Sequence, residues 1–337
     1  MRPIVLIHGY SAEPEKKDPE SIEGIYGTLP TALRGIYGDD TVVEIDLSRW
    51  ISLDDGLTIE DVSWAFDRAI RTDEYSHLLK IGFDVIIHST GALVIRSWLR
   101  KLSPSPSPLN NVIYLAGANL GSGWAHIGKG QLAKWSRFVF QLGTERGVRM
   151  LEALELGSEE AMELHLYFTD PGNYPDKKYR VREHVITGSQ ADVQWFEAPI
   201  RYAKEDGSDG VIRVAAANLN FLYCHLTPTR EARETDWDSL SAQLEKHLKR
   251  EGRRKTYYEI SRTSIPGRDG RQELPFAVPY ECSHSGKDMG IVTGSKCRQQ
   301  VLKLIRMGLT SDENNWQGRV SLFHDDIAPS PGIRKYA

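Results

Sequence analysis

Five short apolar runs recur along the chain, Pro3 to Ile7, Thr41 to Ile45, Phe83 to Ile87, Val112 to Ala116 and Val185 to Thr187, with helix-compatible stretches between most of them. Strand-length runs alternating with helical stretches predict an α/β fold: a mostly parallel central sheet with helices on both faces. Between the second and third runs, Ile59 to Leu79 places Val62, Phe66, Ala69 and Ile70 near helical spacing, and Gly82 ends the pattern. This stretch is expected to be the one helix that crosses from the second strand to the third. The run Ser103-Pro104-Ser105-Pro106-Ser107-Pro108 is expected to be a surface loop, because alternate prolines remove amide donors and hold their neighbours extended.

Two long excursions interrupt this alternation. Gly117 to Arg182 separates two expected sheet strands and is too long for a structureless loop. Its apolar residues cluster in two helical stretches, Leu132, Trp135, Phe138, Val139 and Leu142, then Met150, Leu151, Leu154, Met162, Leu164 and Leu166. Residues 118–182 are therefore read as a helical cap or lid over the carboxyl edge of the sheet, where ligands bind in open α/β sheets. A structural excursion packing its apolar faces on the body fits the same pattern. Residues 220–254 form a charged helical excursion in which Leu240, Leu244 and Leu248 repeat at i, i+4, the mark of a solvated amphipathic helix. Both excursions read as insertions into a single domain spanning residues 1–337.

Composition narrows the classes of partner. With 42 Lys+Arg against 46 Asp+Glu the formal net charge is −4, so the basic footprint that nucleic-acid binding requires is missing. No window approaches the roughly 18 consecutive apolar residues of a membrane span. The N-terminal run meets His8-Gly9 where a signal peptide would need a longer apolar region, and a cytoplasmic location is expected. Cys224, Cys282 and Cys297 are odd in number and lack CxxC spacing, which argues against a disulfide framework or zinc ribbon. A bridge between Cys282 and Cys297 depends on whether the fold brings them close. No HExxH or clustered His/Asp spacing is present, and neither metal nor cofactor is expected.

The segment Phe83 to Arg96 carries the chemistry. A strand ends in His88-Ser89-Thr90-Gly91 and an apolar helix follows, the context of a nucleophile elbow with Ser89 at its apex. In the usual G-x-S-x-G pattern small residues flank the turn; Gly91 supplies the second glycine and Ile87 stands in place of the first. A buried strand-turn-helix with an incidental serine would read the same way in isolation. The first run ends in His8-Gly9-Tyr10, where a backbone amide beside a glycine can face a developing oxyanion, so Tyr10 and Thr90 are the candidate oxyanion-hole residues. Asp209, in the turn Gly207-Ser208-Asp209-Gly210, is the leading orienting acid, with Asp192 and Asp206 as competitors. His284 lies on a loop between a late strand at Phe276 to Val278 and a last helix at Lys296 to Met307, and fits a general base better than His225 or His324. His88 is expected to point its side chain away from the site and is read as a structural group or one that supports the site's residues from behind.

The order Ser89, Asp209, His284 is that of α/β-hydrolases. Together with Ile4-Val5-Leu6-Ile7-His8-Gly9-Tyr10, His88-Ser89-Thr90-Gly91-Ala92-Leu93-Val94, Gly117-Ala118-Asn119-Leu120-Gly121-Ser122 and Ser208-Asp209-Gly210-Val211, it makes the chain resemble serine hydrolases of the α/β-hydrolase superfamily, near the bacterial lipases and esterases. The resemblance covers the body of the chain but not Gly123 to Arg182 or Asn220 to Gly270. It implies carboxylic-ester hydrolysis through an acyl-enzyme, with catalytic Ser89, Asp209 and His284, and a reduced sheet that starts at the oxyanion strand. The implied substrate is a small-molecule or lipid ester, with transient contact to a lipid surface, and Trp124, Trp135, Phe138, Phe140 and Leu142 would line an acyl pocket or pack the core. An acyltransferase or amidase with the same triad, and a noncatalytic binding module on the same fold, are the alternatives.

Overall fold

A computed structural model describes residues 1–8, 25–51, 57–123, 148–191, 207–228 and 258–327. Tyr10, the acids Asp192 and Asp206, the aromatic stretch from Trp124 to Leu142 and the Leu240 helix lie outside the described residues. The chain divides into two compact units, residues 1–219 with 273–337, and Asn220–Gln272.

The larger unit is built on β1 (Ile4–His8), β2 (Val42–Asp46), β3 (Phe83–His88), β4 (Leu109–Leu115), β5 (Arg182–Ile186) and β8 (Phe276–Ala277). These six pair in parallel in the order β2-β1-β3-β4-β5-β8. The central strands are apolar on both faces because helices cover both. Ile4, Leu6, Ile86, Ile113, Leu115 and Ile186 pack with Val301, Leu304, Ile305 and Leu309 of helix α8 (Arg298–Leu309). On alternate positions Phe83 meets the rings of Phe66 and Trp98, from α2 (Ile59–Ile70) and α4 (Gly91–Lys101). After β1 the chain goes to β2 on one side, and then returns to place β3 on the other. That reversal puts a topological switch point at the carboxyl ends of β1 and β3, the usual ligand position in such sheets.

The crossing expected as one helix is two. Helix α2 starts at a capping box, in which Thr58 Oγ1 accepts the Asp61 amide and the Asp61 carboxylate accepts the Thr58 amide. It stops after Ile70, where Thr72 Oγ1 donates back to the Ala69 carbonyl at 2.7 Å and Tyr75 turns toward β2, its hydroxyl 3.3 Å from the Glu44 carbonyl. A separate short helix, α3 (His77–Ile81), then leads into β3.

Strand β5 also begins three residues before its expected start. Glu183 and His184 are buried despite their polarity because each finds partners. Tyr114 donates to Glu183 Oε1 at 2.6 Å, with Arg96 Nε 3.6 Å away and its guanidinium over the Phe168 ring. His184 lies between the Val112 carbonyl and Ser311 Oγ, packed against Trp316 and Phe323 of helix α9 (Trp316–Asp325).

Between β4 and β5, α5 (Val148–Ala153) and α6 (Glu159–Tyr167) are described. Helix α6 and its continuation lie on the outer half of α4, where Arg96 faces Phe168 and Arg100 faces Tyr167. The smaller unit contains an antiparallel pair, β6 (Tyr223–Pro228) and β7 (Tyr258–Ser264), where the sequence alone predicts a helical excursion from residue 220. Tyr223, Cys224 and Thr227 suit a strand once a partner is present. No described helix is long and apolar enough to cross a membrane.

Candidate active site

Strand β3 delivers Ser89 at the carboxyl edge in a left-handed conformation, φ 53°, and α4 begins two residues later. A non-glycine residue at positive φ costs about 1–3 kcal/mol and persists only where its surroundings enforce it. Here the Ser89 amide donates to the Leu115 carbonyl at 3.2 Å, and its carbonyl accepts the amides of Ala92 and Ala118. Gly91 explains how Ile87 is tolerated beside this turn: a Cβ at residue 91 would sit 3.3 Å from Ile87 Cβ, so one glycine supplies the room that two usually share.

Asp209 is buried in a turn that holds its carboxylate. One oxygen accepts the amides of Val211 at 2.9 Å and Ile212 at 2.6 Å, and the other lies 3.0 Å from His284 Nδ1. The turn is tied from outside by Ser122 Oγ, which donates to the Val211 carbonyl, and by Leu120 and Asn119, which donate to the carbonyls of Ala216 and Ala217 in helix α7 (Val214–Ala217). His284 Nε2 lies 3.1 Å from Ser89 Oγ. A carboxylate can only accept, so Nδ1 carries the proton and Nε2 is left to accept from the serine hydroxyl. Ser89, Asp209 and His284 thus form one continuous hydrogen-bonded chain.

The other candidates have other partners. His225 pairs with Ser261 Oγ in the hairpin of the smaller unit, and His324 Nε2 lies 4.0 Å from Glu273 Oε1. Thr90 is the residue between Ser89 and α4 and is buried. Cys282 and Cys297 are both buried and free, with Cys297 Sγ donating to the Met289 carbonyl at 3.4 Å; burial pushes the Cys282 thiol well up. Among the described residues no group of three or more His, Cys, Asp or Glu side chains is placed to hold a metal.

His88 corrects its sequence reading. Its ring does not point away but lies against His284, centroids 4.6 Å apart, and its Nε2 is 3.2 Å from the His284 carbonyl oxygen. A residue ending a twisted strand can turn its side chain sideways along the sheet edge, where alternation no longer governs it. Burial, then the neighbouring His284, hold the His88 imidazole well below its usual range, so the ring is neutral.

Two further residues carry no motif in the sequence. Tyr26 is fully buried, and its hydroxyl lies 3.0 Å from the Ile7 carbonyl and 3.3 Å from the Ile86 carbonyl. It therefore bridges β1 and β3 where their ladder ends, after Leu6 and Ile86. Burial raises the phenol far above its usual range and keeps it a donor. Gly188, just beyond β5, lets the two loops of the site meet: a Cβ there would be 2.3 Å from the Cys282 carbonyl oxygen and 3.0 Å from Asp209 Cβ.

No protein-family model and no curated protein matches the sequence. Among solved structures the chain is similar to phospholipase PlaB from Legionella pneumophila, with 25% identity and a TM-score of 0.73 over 96% of this chain. It is likewise similar to the same phospholipase in complex with thio-NAD, with 26% identity and a TM-score of 0.69. The chain spans 63% of the length of that protein. The mature form of Bacillus licheniformis lipase BlEst2 overlaps 64% of this chain at 13% identity and a TM-score of 0.43, too distant to carry weight. Sheet order and structural likeness agree: the chain has the α/β-hydrolase fold and is similar in structure to a bacterial phospholipase.

Proposed function

We propose that the chain is a serine-dependent carboxylic-ester hydrolase working through an acyl-enzyme. The observation that carries this reading is the continuous chain in which His284 lies 3.1 Å from Ser89 Oγ and 3.0 Å from the Asp209 carboxylate. Ser89 Oγ attacks the ester carbonyl while His284 Nε2 takes its proton, and Asp209 holds the tautomer and stabilises the imidazolium that forms. The developing oxyanion receives the amides of Thr90, at the start of α4, and Tyr10. Loss of one such donor typically costs about 100- to 1,000-fold in turnover. His284 then returns the proton to the leaving alkoxide. Water, activated by the same imidazole, attacks the acyl carbonyl and restores Ser89.

A similar solved structure bears the name phospholipase, which makes the acyl ester of a glycerophospholipid the first substrate to test beside simple esters. Hydrolysis of a p-nitrophenyl ester series of increasing chain length, and of phospholipid vesicles, is measured for wild type, Ser89→Ala, Asp209→Asn and His284→Ala. The expected result is wild-type turnover with losses of about 10⁴-fold or more in each variant, nearly non-additive when combined. Turnover that survives Ser89→Ala contradicts the reading.

A further inference from the structure

We propose that His88 is a positioning residue that holds His284 at its reach from Ser89, through the bond from His88 Nε2–H to the His284 carbonyl. This inference rests on the hydrolase reading above. The acceptor is a main-chain carbonyl, which cannot donate, so Nε2 of His88 carries the proton. The main chain of His284 is then clamped on both sides. Its amide donates to the Asp209 carbonyl at 2.9 Å, and its carbonyl accepts from His88 at 3.2 Å.

The two clamps do different things. The Asp209 bond and the Asp209 carboxylate tie the base to its acid, and neither fixes the base relative to the serine. His88 is covalently joined to Ser89, so its donation fixes the base's backbone against the residue preceding the serine. The 4.6 Å approach of the two rings, tilted by 41°, adds a packing wall that keeps the His284 imidazole from swinging toward His88. A neutral His88 also adds no charge beside the imidazolium that His284 becomes. Misplacement of a reacting group by about 1 Å can cost on the order of 100-fold, which sets the scale of the effect.

The test is the second-order rate at which a fluorophosphonate modifies Ser89 in wild type, Ser89→Ala, His88→Leu and His88→Gln, with kcat and KM for a short ester. Leucine fills the space without a donor, whereas the glutamine amide can donate from nearly the position of Nε2. His88→Leu is expected to lose about 30- to 100-fold in labelling rate and kcat with KM within about twofold, and His88→Gln to recover most of it. Should His88→Leu fail to fold by circular dichroism, His88→Asn, too short to reach the carbonyl, takes its place against His88→Gln. A wild-type rate in the donor-less variant, or equal losses with and without the donor, overturns the positioning role alone. A wild type that is not labelled at Ser89 overturns the hydrolase reading, and the role of His88 with it.

Discussion

Asp84 and His184 are buried near the amino ends of the strands, and their titrations act on stability in opposite directions. Burial raises the Asp84 carboxyl from 3.8 to about 6, although the Asn111 amide and side chain both donate to it. Its contribution is fully present below pH 3.8 and is lost as pH rises through 6, on the order of 3 kcal/mol at full ionisation. Burial lowers His184 from 6.5 to about 3, so its contribution is present above pH 6.5 and lost as pH falls toward 3. The two slopes offset each other in wild type, and substitution separates them. Asp84→Asn is expected to raise Tm relative to wild type by about 5 °C more at pH 7.5 than at pH 4.5, read from thermal unfolding at both pH values. A Tm difference independent of pH would contradict the assignment. At this scale the sequence was legible where a residue sits in a turn with recognisable chemistry: Ser89 after an apolar run, Asp209 between glycines, His284 on a late loop. Tyr26 was not, because its role depends on a gap between β1 and β3 that exists only once the sheet is formed.

Elements bring the site together, and one tight joint is at the end of β5. Gly188 lies where the Cys282 carbonyl and the Asp209 side chain converge, with no room for a Cβ. Gly188→Ala is expected to cost about 1–3 kcal/mol of stability by overpacking. Because the clash separates the Asp209 turn from the His284 loop, its kcat for ester hydrolysis should fall further than that of Phe323→Leu, a core change behind α8, at matched loss of Tm. Equal turnover in the two variants would place Gly188 outside the site's support. Strands β1, β3 and β4 were readable as apolar runs, since both of their faces are covered. The start of β5 was not, because Glu183 and His184 look like loop residues until Tyr114, Arg96 and Ser311 are placed beside them. The break between α2 and α3 escaped the periodicity for a related reason: Tyr75 and Leu78 continue an apolar pattern that the polar turn at Thr72 to Glu74 interrupts.

For the whole molecule, Ser89, Asp209 and His284 all belong to the larger unit although 195 positions separate the serine from the histidine. The parallel sheet accounts for this. Successive strands deliver their carboxyl ends to one edge, so residues distant in the chain arrive at one site. The smaller unit, Asn220–Gln272, interrupts the larger one between the Asp209 turn and the strand preceding the His284 loop. The most direct measurement of Ser89 as the nucleophile is peptide mapping by mass spectrometry after reaction with a fluorophosphonate, on wild type and on His284→Ala. One adduct per chain is expected, on Ser89, forming at least about 1,000-fold more slowly without His284. An adduct on another residue, none at all, or equal rates in the two proteins would contradict it.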